Sequence, residues 1–156
     1  MWRAVPFGWL GRRYRIEESG RLVGSVDLGG WAEQGSIEID GRLMPIRREG
    51  FWNRRYFLRR DNEDIASSQS AGAFRRGFYI VHGDDEYRVD PSSFFNRSFA
   101  LTQRGRSRGE IRSVGLFFKC TTRIELDGDL APELRLFVFW LVMSARRRAA
   151  AAAAAS

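Results

Sequence analysis

The sequence predicts a mainly β protein, a closed antiparallel barrel of about 12 strands around a central hydrophobic C-terminal helix. Three observations carry this expectation. Short runs alternate apolar and polar residues between turn-forming residues, as half-buried strands do. Aromatic anchors Tyr14, Tyr56 and Phe99 recur 42 and 43 residues apart. The stretch Leu134–Met143 is apolar on every side of a helix, so it has to be enclosed.

Taken in order, the period-two positions are Tyr14/Ile16, Leu22/Gly24/Val26/Leu28, Ile37/Ile39, Tyr56/Leu58, Phe78/Ile80 and Tyr87/Val89. Turn chemistry falls between them at Ser19-Gly20, Gly29-Gly30, Asp40-Gly41, Asp61-Asn62, Gly83-Asp84 and Asp127-Gly128. Asp40-Gly41 is the strongest two-residue hairpin signal. The run from Val114 to Asp127 alternates throughout, with Leu116, Phe118, Cys120, Thr122 and Ile124 on one face. The thirteen residues from Val114 to Leu126 at ~3.3 Å each would span about 43 Å, too long for one straight strand, so a bend or break is expected near Lys119–Thr121.

The repeat groups these strands. Arg13-Tyr14-Arg15-Ile16 leads to Val23-Gly24-Ser25, and Arg55-Tyr56-Phe57-Leu58 leads to Ile65-Ala66-Ser67. Ser98-Phe99-Ala100-Leu101 leads, through a turn three residues longer, to Ile111-Arg112-Ser113. Three copies are too few for a propeller, so three groups of about four strands closing one barrel is the expected arrangement.

At the C-terminus, Pro132 and Glu133 suit a first helical turn, with Asp129 as the expected cap. Leu134, Phe137, Val138, Leu141 and Ala145 form one helical stripe, while Leu136, Phe139, Trp140 and Met143 cover the other side. Phe, Val and Trp would also suit a buried central strand. Pro132 and the good helix formers of 146–155 favour the helix. Burying about eight large side chains would contribute about 12–24 kcal/mol as an upper bound. The expected domain is 1–148, with the helix at about 132–148, cations Arg146–Arg148 at its C-terminus, and a low-complexity polyalanine tail at 149–156 read as frayed helix or disordered chain.

Composition narrows the function. The net charge is +7, and Lys119 is the only lysine beside 25 arginines, a skew that a GC-rich genome also produces. One cysteine, Cys120, and one histidine, His82, exclude an intrachain disulfide and most histidine-based metal sites. No signal-peptide-like apolar run opens the chain, and the longest apolar stretch, Leu136–Met143, falls well short of the roughly 20 residues a bilayer-spanning helix needs. A Ser92/Ser93–His82–acid set has no nucleophile elbow around it. Gly72–Gly77 has phosphate-loop glycine spacing, but Phe78-Tyr79 replaces the required Lys-Ser/Thr. The acidic clusters Asp61/Glu63/Asp64 and Asp84/Asp85/Glu86 lack calcium-loop spacing. The reading is therefore of a non-enzyme, with no catalytic residue, metal or cofactor expected.

The aromatic-anchored hairpins and Leu134–Met143 resemble the superfamily of tubby C-terminal domains, plant LURP-one-related proteins and phospholipid scramblases. The likeness covers roughly residues 11–148 and rests on no strict motif. The tubby Phe-Ala-Gly-Glu terminus, the scramblase cysteine cluster and the proline-rich arm are absent. The resemblance implies about twelve antiparallel strands around one hydrophobic helix. It also implies binding of anionic membrane lipids such as phosphoinositides rather than catalysis.

Candidate residues for such binding are arginines on the barrel exterior. Arg54/Arg55, Arg59/Arg60 and Arg75/Arg76 are adjacent pairs, and Arg104, Arg106, Arg108 and Arg112 surround a glycine-containing turn. Guanidinium groups suit phosphate oxygens. The expected partner is anionic phospholipid, at a cytoplasmic location peripheral to the membrane. The alternatives are nucleic acid, contacted by arginines and aromatics such as Trp9 or Trp31, or a protein partner docked on the Trp-rich N-terminal segment, as an interaction or structural domain.

Overall fold

Left-handed residue pairs set the architecture. Ser19-Gly20 (φ 50° and 79°), Asp40-Gly41 (51° and 73°), Asp61-Asn62 (52° and 67°) and Arg104-Gly105 (49° and 76°) all have both residues at positive φ. Such turns match the twist of flanking strands and fold them into tight hairpins. The computed structural model describes residues 1–30, 34–50, 53–72, 77–93, 97–115 and 121–156. Twelve strands precede the helix: β1 (Trp2–Phe7), β2 (Arg13–Glu18), β3 (Arg21–Asp27), β4 (Gly35–Ile39), β5 (Arg42–Glu49) and β6 (Arg55–Arg60), then β7 (Glu63–Ser70), β8 (Phe78–His82), β9 (Asp85–Pro91), β10 (Ser98–Gln103), β11 (Arg106–Val114) and β12 (Thr121–Leu126). Helix α1 is Pro132–Ala154. Each strand pairs antiparallel with the next, and β1 closes on β12 through Trp2↔Ile124, Arg3↔Arg123 and Ala4↔Thr122. The barrel is up-and-down and has no free edge.

The period-two faces point into the barrel except at Leu22, which is 67% exposed because the register shift between Ile16 and Glu17 leaves Val23 unpaired and breaks the alternation before Gly24. Tyr14, Ile16, Ile37, Tyr56, Leu58, Phe78, Ile80, Val89, Phe99 and Leu101 are all buried. Strand β1 carries the same pattern with Trp2 and Ala4 inward, although Pro6 interrupts it in sequence. Pro6 is tolerated because β12 pairs only with residues 2–4, so the missing N–H falls beyond that ladder.

The repeat is built into the barrel, with one correction to its third copy. Tyr14, Tyr56 and Phe99 stand on β2, β6 and β10, four strands apart. A register shift follows Ile16, Leu58 and Leu101 at equivalent positions. The residue left unpaired opposite each shift is Val23, Ile65 or Arg108. The third turn is therefore no longer than the others, and Phe99 leads to Arg108 rather than to Ile111. A charged side chain at the bulge hides the equivalence, because Val23 and Ile65 pack against the core there.

The 114–127 run is also divided. Val114 pairs with Thr121 and Ser113 with Thr122, so the chain reverses into the β11–β12 hairpin. Leu116, Phe117, Phe118, Lys119 and Cys120 lie outside the described residues.

Helix α1 fills the barrel. Leu134 and every residue from Leu136 to Val142 are buried, and the rings of Phe139 and Trp140 meet Tyr14 and Tyr56 edge-on at 5.2 and 5.0 Å. Arg135 is the exception in this stretch. Its guanidinium lies 3.5 Å over the Trp2 ring, and burial lowers its pKa while nearby Glu18 opposes the shift. Pro132 occupies the first turn with Glu133. Asp129 is not the cap: Ala131 stands at that position without a side-chain hydrogen bond, and Asp129 is held by Arg108. The helix also runs six residues past Arg148, because alanine is the best helix former.

At Gly35 strand β4 lies directly against Trp140 of the helix. The Trp140 Nε1–H donates to the Asp27 carbonyl at 3.0 Å, and a Cβ on Gly35 would collide with both that nitrogen and that oxygen. Gly35→Ala is expected to lower unfolding free energy by about 1–3 kcal/mol in chemical denaturation. An unchanged midpoint would contradict this packing.

Candidate functional site

An up-and-down barrel sends alternate connections to opposite ends. The β2–β3, β4–β5, β6–β7, β8–β9 and β10–β11 turns share one end with the start of α1, here the turn end. The β1–β2, β3–β4, β5–β6, β7–β8, β9–β10 and β11–β12 connections share the other, here the loop end, with the close of the helix.

Charge divides along this axis. Connections at the turn end contain Asp40, Asp61, Asp84, Asp127 and Asp129 against Arg104. Those at the loop end contain Arg12, Arg54, Arg97, Arg75, Arg76 and Lys119 against Glu33. The last four of these lie outside the described residues and enter by sequence alone. Arg146–Arg148 on the helix add three more cations at the loop end. The barrel is thus a charge dipole, positive where the helix ends, and such a field concentrates anions at one pole.

The ten arginines singled out in sequence do not form one patch. Arg54 and Arg55 are exposed at the loop end, where Arg55 reaches Gln69 Oε1 at 3.4 Å. Arg75 and Arg76 lie outside the described residues. Arg59 and Arg60 are at the turn end, paired with Asp64 at 3.1 Å and Glu133 at 3.5 Å. Arg104 and Arg106 are exposed beside the acidic turns. Arg108 is a latch: its side chain is 21% exposed and holds both Asp129 carboxylate oxygens (2.9 and 3.0 Å), with Asp127 at 3.4 Å. The hydrogen bond to Asp129 raises its pKa. Arg112 pairs with Glu110 on its own strand.

The loop end also holds residues that sequence reasoning did not select for this role. Arg12 and Arg97 precede β2 and β10 as Arg54 precedes β6. None of the three has a carboxylate within 4.0 Å among the described residues. At the tip of the β1–β2 connection, between Gly8 and Gly11, Trp9 is 98% exposed and Leu10 69%. Extending the aromatic-anchor period a few residues upstream would have found these positions.

Arg146–Arg148 tether the helix to this rim. Arg146 donates to Ser113 Oγ and to the Arg97 carbonyl, both at 2.6 Å, and Arg148 donates to the Tyr56 hydroxyl at 3.0 Å. Beyond them Ala150–Ala154 are exposed helix.

No nucleophile–base set is assembled from the residues considered in sequence. His82 closes β8 at the turn end, 3.8 Å from Glu133, whereas Ser92 and Ser93 follow β9 at the loop end. Ser92 donates to Ser98 Oγ, and Ser93 Oγ accepts the Arg97 and Ser98 amides. Among the described residues no three His, Cys, Asp or Glu side chains converge as metal ligands, and no helix is long and apolar enough to cross a membrane.

Fold and surface together define a closed twelve-stranded up-and-down barrel filled by its own C-terminal helix and polarised along its axis. No protein-family model, curated protein or solved structure matches the chain.

Proposed function

We propose that this barrel is a non-catalytic module that binds the anionic surface of a phospholipid membrane through the arginines of its loop end. The observation that carries this reading is the axial separation of charge, which leaves Arg12, Arg54 and Arg97 without carboxylate partners among the described residues. Each basic residue held near an anionic leaflet gains ~1 kcal/mol, so several acting together give useful affinity without a pocket. The tubby-like resemblance supports the same reading, since a twelve-stranded barrel around a C-terminal helix is the arrangement it implies. Attachment would be peripheral.

Cosedimentation with phosphatidylcholine vesicles, with and without phosphatidylserine or phosphoinositide, tests the proposal. Bound fraction should rise with anionic lipid and fall as salt increases. Equal sedimentation with neutral and anionic vesicles would overturn it. A salt-dependent shift with single-stranded oligonucleotide and none with vesicles would assign the arginines to nucleic acid instead.

A further inference from the structure

We infer that the barrel docks end-on, its axis upright on the bilayer, through Arg12, Arg54 and Arg97 spaced around the loop end and through the Trp9-Leu10 tip beside the first of them. This inference rests on the membrane-binding reading above and adds the orientation and the residues that set it. Arg12 precedes β2, Arg54 precedes β6 and Arg97 precedes β10. Each lies two residues before an aromatic anchor, Tyr14, Tyr56 or Phe99, so the three arginines share the three-fold repeat of the barrel.

Strands β2, β6 and β10 begin a third of the circumference apart. With strands ~4.8 Å apart and tilted by ~40°, a twelve-stranded barrel places those points ~20 Å from one another. The three arginines therefore sit well beyond a Debye length of ~8 Å from each other and cannot share one headgroup. Three separated cations around an axis define a plane, and the anionic partner that fits a plane is a sheet of headgroups.

The Trp9-Leu10 tip supplies what charge alone does not. Trp9 is 98% exposed on a glycine-flanked tip, with Arg12 and Arg13 following. Tryptophan favours the membrane–water interface, where the ring meets the acyl boundary and its N–H stays hydrated. Ala150–Ala154 leave the barrel at the same end as exposed helix.

The test uses vesicles of phosphatidylcholine and phosphatidylserine and the full chain, with near-ultraviolet dichroism confirming that each variant is folded. Single substitutions Arg12→Gln, Arg54→Gln and Arg97→Gln should each weaken partitioning about fivefold, and the triple variant about a hundredfold. Arg104→Gln/Arg106→Gln, exposed at the turn end, should stay within about twofold of wild type. Brominated lipid should quench a fluorescence component that is lost in Trp9→Phe, and Trp9→Ser/Leu10→Ser should weaken binding at every salt concentration. Wild-type binding lost in the turn-end pair, or carried by only one of the three loop-end arginines, would overturn the end-on geometry while leaving membrane binding intact. Wild-type protein that ignores phosphatidylserine vesicles would overturn both.

Discussion

Val138→Asp will yield no soluble, cooperatively melting protein. Val138 is 1% exposed within the buried stretch of α1, with barrel wall around it. An unpaired carboxylate there costs several kcal/mol, a large part of the roughly 5–15 kcal/mol by which a domain is stable. Val138→Ala, which removes two methyl groups and adds no charge, should fold and lose about 2 kcal/mol. Truncation before Leu130 should fail as Val138→Asp does, because the inward side chains of the strands then face an empty lumen. Soluble fraction after expression and a circular-dichroism melt read both outcomes. A cooperative melt from either the aspartate variant or the truncation would contradict the enclosed helix.

Trp140→Ala should be the most damaging single truncation that still folds. Its ring is fully buried, stacks edge-on against Tyr56 and donates its N–H to Asp27 across Gly35. Removing it should cost about 3–5 kcal/mol, part from the cavity and part from the orphaned carbonyl. Trp140→Phe keeps most of the volume and loses the donor, so it should cost about 1–3 kcal/mol. Urea denaturation should rank wild type above Trp140→Phe above Trp140→Ala. If Trp140→Phe matched wild type, the Asp27 hydrogen bond would contribute nothing.

The hairpins were legible because their causes are local. Asp40-Gly41 needs no tertiary context to favour positive φ, and Tyr56/Leu58 alternate whatever lies across the barrel. The helix was legible because an all-round apolar segment too short for a bilayer has few other places to go. Its far end was not, since Arg146–Arg148 read as a stop, whereas they are tethers in a helix that alanine continues. Strand β1 was obscured by Pro6, whose cost depends on how far the β12 ladder extends. The third repeat was misaligned by Arg108, a cation at a position whose equivalents are apolar.

The surface was less legible for a physical reason. Whether an arginine is free depends on which carboxylates share its end of the barrel, and that depends on strand parity rather than on sequence distance. Arg108 lies 21 residues from its Asp129 partner, and Arg60 far from Glu133, yet both pairs form because their connections meet at the same end. Sorting the connections alternately, once strand order is known, turns an apparently even scatter of arginine into two opposite poles.

The seam between Trp2–Ala4 and Thr122–Ile124 has a consequence for synthesis. The first strand leaves the ribosome with its partner untranslated and with the rod that fills the lumen later still. At about 5–20 residues per second, its apolar face waits roughly 7–30 s for both. During that wait the nascent chain can form hairpins but not an interior. Chaperone occupancy should therefore persist until the final segment emerges, and then fall as the wall closes on its filling.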